Sequence, residues 1–383
     1  MARKMKDSGI EWIGEIPEGW EVGQIGQLYS ERRTKVSDKD YPPLSVTMKG
    51  ILPQLSTAAK TDAHDDRKLV CKGDFAINSR SDRRGSCGIS EQDGSISLIN
   101  TVLQPRGEMN PGYYNWLFHT SMFADEFYKW GHGIVDDLWT TGWSDMKKIG
   151  VPVPSKCEQK QLAEHLNVEC FHIDSILSKT RASIEEYKKL KQAVITQAVT
   201  EGTPAMFSSP HSVKLKYLIS IVSGEAIRNE QLSDFGEYPV YGGGEIIGFC
   251  SQYNTSEGSL IIGRVGARCG CVTHTTCKSW ATDNALIVLP TCNAKYMYYV
   301  IGHCQLNNLN TSNAQPLITS TKIKNVVVPY FSDAMQQQEI ADYLDAKCAE
   351  IDGLISKKEQ LVKELESYKK SLIYEVVTGK REV

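Results

Sequence analysis

A long segment of this 383-residue chain occurs twice, and the distance between the two copies is constant. The first copy extends from Ser155 to about Gly202 and the second from Ser332 to about Gly379. Each copy follows a stretch of different sequence, so the chain has two similar halves. The residues that recur at a displacement of 178 positions are Ala163/Ala341, Leu166/Leu344, Cys170/Cys348, Ile173/Ile351, Asp174/Asp352, Ser178/Ser356, Lys179/Lys357, Glu186/Glu364, Lys191/Lys369, Ile195/Ile373, Val199/Val377 and Thr200/Thr378.

Each copy predicts one long amphipathic helix, because its apolar residues recur at steps of three and four. Ser155 and Glu158 have the spacing of a capping box at the start of the first helix. Gly202 and Gly379 supply the stop signals. Such a long helix needs a partner of equal length for its apolar stripe, and the other copy is one. The residues expected in the shared core are Leu166, Ile173, Leu177, Leu344, Ile351 and Ile355.

The direction of the pair follows from the sequence between the copies. If the intervening domain sits at the C-terminal end of the first helix, the chain can return along that helix without a long crossover. We therefore favour an antiparallel coiled coil with one globular domain at each end. The alternative is two unrelated amphipathic helices, each packed on its own domain, which leaves the identical register of the copies unexplained.

Composition excludes several classes of protein. A chain of 383 residues suits two or more domains, and 41% hydrophobic with 23% charged residues is normal for a globular protein. No stretch approaches the ~20 apolar residues of a membrane span, and the N-terminus does not resemble a signal peptide, so we expect a cytoplasmic protein. The eleven cysteines show no regular framework, and most are expected to be free buried thiols. A net charge of −3 excludes a uniformly basic DNA-coating protein but permits local basic clusters.

The two globular segments are related to each other more weakly than the helices are. Each contains a strand that delivers arginine, at 73–80 and 258–264, then a Gly-rich turn and a second strand, at 95–100 and 284–289. The predicted fold class is α+β: two similar mixed, β-rich domains joined by two long antiparallel coiled-coil helices. The predicted boundaries are a first recognition domain at 1–154, a spacer helix at 155–202, a second domain at 203–331 and a second spacer helix at 332–383.

Over nearly its whole length the chain resembles the specificity subunit of type I restriction-modification systems. The segment Asp7–Trp20 resembles the usual opening of that family. A Pro-terminated strand, followed by Glu158-Gln159 or Gln337-Gln338 and a long helix, is a second signature. The order globular, helix, globular, helix matches the architecture of the family.

The resemblance implies a function for each part. The two globular domains would each read one half of a bipartite site in double-stranded DNA. The helices would set the spacing and dock two methyltransferase subunits, and restriction/translocase subunits would join the full complex. S-adenosylmethionine, ATP and Mg²⁺ would bind to the partner subunits, and no cofactor or metal is expected in this chain. Two modules on a rigid rod can reach half-sites about one helical turn of DNA apart, ~34 Å.

Two basic clusters are the candidate DNA contacts, since Arg reads guanine in a bidentate manner and contacts phosphate strongly. In the first domain the candidates are Arg80, Ser81, Arg83 and Arg84. The alternative there is a solvated loop with internal pairing to Asp82. In the second domain Arg264 and Arg268 are expected in the equivalent place, with a strand-end ion pair as the alternative. Tyr241 and Gly243, in a Gly-rich loop without the Lys-Ser/Thr of a P-loop, are further candidates.

Two other motifs invite a function but favour a structural role. The segment Trp139–Trp143 could stack on bases, although core packing of its tryptophans is the favoured interpretation. Cys269, Cys271, His274 and Cys277 suggest zinc, but they alternate with Gly and Val as strand residues do and lack paired C-x-x-C knuckles.

The motifs of an enzyme are missing from the sequence. There is no P-loop, no methyltransferase tetrad, no Gly-rich nucleoside turn and no evident nucleophile–base pair. We therefore predict a DNA-recognition subunit without a catalytic site. The competing hypotheses are a self-sufficient DNA methyltransferase or nuclease, and a coiled-coil scaffold that does not bind DNA.

Overall fold

The structure of the chain is a computed structural model that describes residues 3–54, 65–133, 139–206, 209–266, 268–309 and 317–383. It divides into two compact units. Unit 1 comprises Met1–Thr180 and Leu361–Val383, and unit 2 comprises Arg181–Gln360. Among the described residues, no helix is long and apolar enough to cross a membrane.

The elements of the first globular segment are short strands and short helices. In chain order they are β1 (Met5–Asp7), β2 (Glu15–Pro17), β3 (Glu21–Gln24), α1 (Ile25–Leu28), β4 (Tyr29–Glu31), β5 (Lys35–Val36), β6 (Leu44–Thr47), β7 (Gly50–Pro53), β8 (Arg67–Val70), β9 (Phe75–Asn78), β10 (Cys87–Ile89), β11 (Gly94–Ile96), β12 (Asn100–Pro105), α2 (Pro111–Phe118), α3 (Ser121–Lys129), α4 (Trp143–Met146) and β13 (Gly150–Val153).

The first long helix follows, and the second globular segment and second long helix complete the chain. These elements are α5 (Lys156–Glu201), β14 (His211–Lys214), β15 (Ile219–Ser223), β16 (Tyr238–Tyr241), β17 (Ile246–Cys250), β18 (Leu260–Gly263), β19 (Val272–His274), β20 (Trp280–Ala281), β21 (Ala285–Pro290), α6 (Ala294–His303), α7 (Ser320–Lys324), β22 (Val327–Tyr330) and α8 (Ala334–Val377). Each long helix follows a mixed α+β segment, which confirms the predicted fold class.

The same four-stranded antiparallel sheet occurs in both units. Its strand order is β10-β9-β12-β4 in unit 1 and β19-β18-β21-β15 in unit 2. In each unit a separate two-stranded ladder, β3 with β13 or β14 with β22, joins the start of the segment to its end. We call residues 21–153, bounded by the first ladder, the first module, and residues 211–330, bounded by the second, the second module.

Three of the four strands agree residue by residue at a displacement of 185 positions, and the fourth, β4 against β15, at 190. Asn78 pairs with Asn100 in the first module, and Gly263 pairs with Ala285 in the second. The sequence predicted one strand over 95–100, but the structure divides it. β11 ends at Ile96, the amide of Asn100 then bonds the Ser97 carbonyl in a turn, and β12 begins.

A second, three-stranded sheet differs between the modules. In the first module β8 lies between β11 and β5, and all pairs are antiparallel. In the second module β16 lies between β17 and β20, and the pairing of β16 with β20 is parallel. The first module also has the hairpin β6–β7. The modules therefore share one sheet and diverge in the other.

Within unit 2, three contacts show that α5 and α8 are antiparallel. The Lys358 ammonium lies over the Tyr187 ring, and the Lys191 Nζ is 2.6 Å from a carboxylate oxygen of Asp352. The Thr203 hydroxyl, just past α5, donates to Glu339 over 2.6 Å. Residue numbers that rise along α5 therefore lie beside residue numbers that fall along α8. This confirms the predicted antiparallel pairing.

Within unit 1, the first part of α5 packs with the last part of α8. Leu166, Ile173 and Leu177 are buried in one core with Leu372 and with the partly buried Leu365. Apolar side chains spaced by three and four positions on both helices build this core, as the sequence predicts. In unit 2, Leu344 is fully buried and Ile351 is nearly so. Of the six predicted core residues, only Ile355 is half-buried.

The ends of the long helices follow their local signals. The Glu158 amide donates to the Ser155 hydroxyl and the Ser155 amide to the Glu158 carboxylate, each over 3.3 Å, which is a capping box. Gly202 and Gly379 follow the two helices with positive φ, a conformation that glycine adopts without strain. The four predicted domain boundaries remain predictions, because each compact unit contains a part of both long helices.

Candidate nucleic-acid interface

The first candidate arginine lies where β9 leaves the shared sheet. Ser79, the residue after β9, is buried, and its hydroxyl lies 2.8 Å from that of Thr101. Arg80 follows in extended conformation, is half-buried, and forms an isolated antiparallel bridge with Thr140. The backbone on both sides of Arg80 is therefore fixed, and the direction of its side chain is set by the strand.

A short turn follows and presents the next arginine. Ser81–Arg83 form one turn of 3₁₀-helix, and the Ser86 amide closes the turn by donating to the Arg83 carbonyl over 3.1 Å. Gly85 has a φ of +75°, which a residue with a side chain adopts at a cost. Arg83 is exposed and has no side-chain partner among the described residues. It is available to a ligand without breaking an internal contact.

Arg84, in contrast, is held by its own module. Its guanidinium lies 2.7 Å from the Asp125 carboxylate and 5.4 Å from the centre of the Tyr128 ring. Burial raises the pKa of Tyr128, and its hydroxyl donates to the Asn78 carbonyl. The observed partner of Arg84 is thus Asp125, which lies 41 positions away and which the sequence did not indicate.

In the second module Arg264 occupies the end of β18. Its amide donates to the Asn284 carbonyl over 2.9 Å, and its carbonyl accepts from the Ile318 amide over 3.0 Å. The Nε atom of Arg264 is buried and has no hydrogen-bond partner in the described part of the chain. A buried guanidinium N–H without an acceptor costs desolvation free energy, which an acceptor would recover. This N–H is therefore able to donate a further hydrogen bond.

The Gly-rich loop of the second module lies against Arg268. The Arg268 Nε is 2.5 Å from the Glu245 carboxylate, and both side chains are more than half exposed. Within the loop, the Gly244 amide donates to the Gly242 carbonyl over 2.6 Å. A Cβ on Gly243 would come within 2.7 Å of the Val265 carbonyl oxygen, so the close approach requires glycine. The structure brings this loop and the arginine turn together, and Glu245 is the residue that sequence reasoning missed.

A side chain that contacts DNA bases must be accessible, and the side chains of Tyr241 and Ser81 are largely or partly buried. Tyr241 is 8% exposed, and burial raises its pKa. Ser81 is half-buried, and its amide donates to the Trp139 carbonyl over 3.1 Å. The Ser81 backbone is part of the first arginine turn, and the Tyr241 carbonyl accepts from the Thr282 amide over 2.9 Å. Their part in DNA binding stays a prediction, as it does for the other site residues.

The sequence predicts that Arg264 matches the first arginine cluster, which begins at Arg80, but the hydrogen bonds place Arg264 one position earlier. The Ser79 amide bonds the Ile99 carbonyl in the first module, and the Arg264 amide bonds the Asn284 carbonyl in the second. The structural counterpart of Arg264 is therefore Ser79, at the displacement of 185 that the sheets share. The counterpart of Arg83 is Arg268. The leading glycines of the two segments, Gly73 and Gly258, have this displacement, but Arg80 and Arg264 are 184 positions apart and so do not match.

The remaining motifs have structural environments. The Trp139 indole N–H donates to the Tyr128 carbonyl over 2.7 Å, and Trp143 packs on the core of unit 1. This agrees with core packing. In the described segments no group of three or more His, Cys, Asp or Glu residues is arranged to hold a metal ion. Cys271 and Cys277 are exposed, whereas Cys269 is buried.

Part of the chain matches a known protein family. Residues 211–364 match the family model of the type I restriction modification DNA specificity domain. In this domain and in two curated relatives, the chain is similar to the specificity subunits of type I restriction-modification systems. It is 29% identical over 110 residues to the type I restriction enzyme EcoprrI specificity subunit of Escherichia coli, a match that covers 28% of this chain and 27% of that protein.

Two further matches cover more of the chain. It is 24% identical over 245 residues to the putative type I specificity subunit S.MgeORF438P of Mycoplasma genitalium, covering 60% of this chain and 59% of that protein. The matches thus span less than two thirds of these relatives. A chain solved in work on complex assembly and conformational transition of the type I R-M system superposes with a TM-score of 0.77 at 12% identity, covering 96% of this chain and 99% of that one. This likeness shows a shared fold.

Proposed function

We propose that this chain is the sequence-specific DNA-recognition subunit of a type I restriction-modification complex, in which each module reads one half of a bipartite double-stranded site. The observation that carries the proposal is the repeated module. The same four-stranded sheet occurs twice with one register, and in both copies the strand that leaves it leads into an arginine turn. A duplicated reading element suits a target with two halves.

The divergence of the second sheets supports two different half-sites. DNA sequence is read by side chains that reach base edges, whereas the phosphate backbone is common to all sequences. A module that reads a different sequence must therefore differ in part of its surface while it retains its scaffold. The arrangement of shared and divergent sheets in these modules meets that requirement.

The long helices support a role in assembly. Each unit contains one copy of the same ion pair between α5 and α8, Lys191 with Asp352 in unit 2 and Lys369 with Asp174 in unit 1. Two similar helix surfaces fit two copies of one partner. We infer that two methyltransferase subunits bind the helices and that restriction/translocase subunits join the full complex. Saturating the chain with methyltransferase and measuring the mass of the complex should give two copies per chain.

We further infer that the chain has no catalytic site of its own and acts in the cytoplasm. S-adenosylmethionine, ATP and Mg²⁺ would then serve the partner subunits. The test is to incubate the purified single chain with S-adenosylmethionine or Mg²⁺ and DNA. Methylation or cleavage by the chain alone would favour the competing hypothesis of a self-sufficient enzyme.

Genome-wide mapping of methylated bases tests the function directly. Cells with the chain and its methyltransferase partner should carry methylation at a bipartite motif, and cells that lack only this chain should lose it. Complementation with the intact chain is the control. A methylation pattern that does not depend on the chain would contradict the proposal and would favour a scaffold that does not bind DNA.

A further inference from the structure

The arginine turns of the two modules share the hydrogen bond that closes them. The Ser86 amide donates to the Arg83 carbonyl over 3.1 Å, and the Cys271 amide donates to the Arg268 carbonyl over 3.0 Å. Gly85 and Gly270, the residues between, have φ values of +75° and +86°. Arg83 and Arg268 therefore occupy equivalent positions, three residues before the amide that closes each turn.

The turns are also anchored to the shared sheet in the same way. The Asn78 amide donates to the Ser86 carbonyl over 2.8 Å, and the Gly263 amide donates to the Cys271 carbonyl over 3.0 Å. The anchoring atoms belong to β9 and β18, which are equivalent strands. The two arginine side chains thus start from equivalent points of the two scaffolds.

The other two arginines are not equivalent to each other. Arg80 corresponds to Val265, because Arg80 bridges to Thr140 as Val265 bridges to Leu317. Arg264 corresponds to Ser79, one position earlier. Successive residues of an extended chain point to opposite faces. Arg80 and Arg264 therefore leave the common strand in opposite directions and cannot make the same contact.

The shared and unshared arginines suit two kinds of DNA contact, to the backbone and to particular bases. Modules that read different bases have only one DNA feature in common, the sugar–phosphate backbone. A position that carries an exposed arginine in both modules, before the same closing hydrogen bond, suits the common feature. A position that carries arginine in only one module suits a contact that only one half-site offers.

Building on the proposed function, we propose that Arg83 and Arg268 are two copies of one phosphate contact, one for each half-site. Arg80 and Arg264 then serve contacts that are particular to their own half-sites. The salt dependence of binding follows the positive charge placed at the phosphate, which lysine also carries, whereas the guanidinium adds paired hydrogen bonds. Lysine at 83 and 268 should therefore keep the salt dependence of binding.

The test uses the full chain assembled with its methyltransferase subunit and two probes: a duplex that carries the mapped methylation motif and a duplex of mixed sequence. Affinities are measured from about 50 to about 200 mM salt, a range over which each phosphate contact is visible in the salt dependence. The variants are Arg83→Ala, Arg268→Ala, the double variant, and the corresponding lysine variants. Arg381→Ala is the matched control, because Arg381 is an exposed arginine beside a carboxylate, as Arg268 is.

Each alanine variant should lower the slope of log affinity against log salt by about one unit, on both probes, and the double variant by about two. The lysine variants and the control should keep the wild-type slope. Unchanged slopes in the alanine variants, an effect at only one of the two positions, or altered preference at a single base pair would overturn the inference. Thermal unfolding checks that each variant is folded, and Arg→Gln variants, which keep most of the side-chain length, replace any alanine variant that is not.

Failure of the inference can be told apart from failure of the proposed function. A wild-type complex that methylates a bipartite motif and binds it, while Arg83 and Arg268 variants bind with unchanged slopes, leaves the recognition function intact and refutes this assignment alone. A wild-type complex that binds neither probe refutes both.

Discussion

The first and second modules are alike where they join the long helices and unlike where they extend away from the shared sheet. Strand order and register agree across the four-stranded sheet, whereas the three-stranded sheet changes from all-antiparallel pairing to a sheet with one parallel pair. A parallel and an antiparallel pair place their side chains differently, so the second sheet cannot present the same surface in both modules. One scaffold therefore carries two different surfaces.

The candidate arginines show the same division on a smaller scale. Arg83 and Arg268 sit on equivalent turns, but Arg268 has an acidic neighbour, Glu245, contributed by the divergent region. Arg83 has no such partner among the described residues. The shared sheet thus fixes the position of the arginine. The divergent region determines whether a carboxylate pairs with it.

The largest expected effect comes from replacing a whole module. A chain in which residues 21–153 are replaced by residues 211–330 should direct methylation to a site whose two halves both match the second half-site. The cut points fall at the ends of the ladders β3–β13 and β14–β22, so each ladder moves as a unit. Methylation mapping is the measurement. The control is the reverse replacement, which should give a site with two copies of the first half-site. Retention of the original motif by both chains would show that the modules do not determine the half-sites.

The next effect concerns the helices, where Leu177 and Ile355 are equivalent in the repeat but differ in burial. Leu177 is buried at 5% exposure, so Leu177→Ala should lower the free energy of unfolding by about 2–5 kcal/mol. Ile355 is half-buried, so Ile355→Ala should cost less. Urea unfolding measures both. Leu166→Ala and Leu344→Ala, both at fully buried positions, are the matched pair and should cost similar amounts. Equal costs at 177 and 355 would contradict the burial difference.

A smaller effect is expected from Glu245. Glu245→Gln removes the carboxylate that competes with DNA phosphate for Arg268, and an exposed ion pair contributes up to about 1 kcal/mol. Affinity for a mixed-sequence duplex should therefore rise by up to about five-fold. Glu257→Gln, at an exposed acidic residue of the same unit, is the control. If the control strengthens binding equally, the effect is one of net charge and Arg268 is not involved.

The smallest effects belong to the duplicated ion pairs of the helices. Lys191→Met and Lys369→Met each remove one copy, and both pairs have carboxylates more than half exposed. Solvent screens such pairs, so each variant should lose no more than about 1 kcal/mol of unfolding free energy. The two losses should be alike. A large loss in one alone would show that the helices pack differently in the two units.

The sequence predicted the parts of the fold that depend on local periodicity. The apolar stripe, the Ser155–Glu158 capping box and the helix stops at Gly202 and Gly379 each follow from residues a few positions apart, and the structure confirms them. The general place of the arginines, after an apolar strand, was predictable for the same reason.

What escaped prediction depends on residues that are distant in the chain. The partner of Arg84 is Asp125, and the contact of Glu245 with Arg268 spans 23 positions and joins two different sheets. The register error had a related cause. The helices repeat at 178 positions but the sheets at 185, so insertions and deletions lie between them. The leading glycines Gly73 and Gly258 already have the displacement of 185, but the strands after them share few residues, so the one-position offset between Arg80 and Arg264 is not visible in the sequence.

The discontinuity of unit 1 has a consequence for protein synthesis. Its core contains Leu372, Val376 and Val377 from the end of α8, and the Tyr113 hydroxyl donates to the Val377 carbonyl over 2.6 Å. After residue 180 is made, the ribosome must add all of unit 2 before Leu361 emerges, which takes about 9–36 s at ordinary translation rates. During that interval the first module has an open apolar face. A chain that terminates early would keep it open, which makes such products natural substrates for chaperones and proteases.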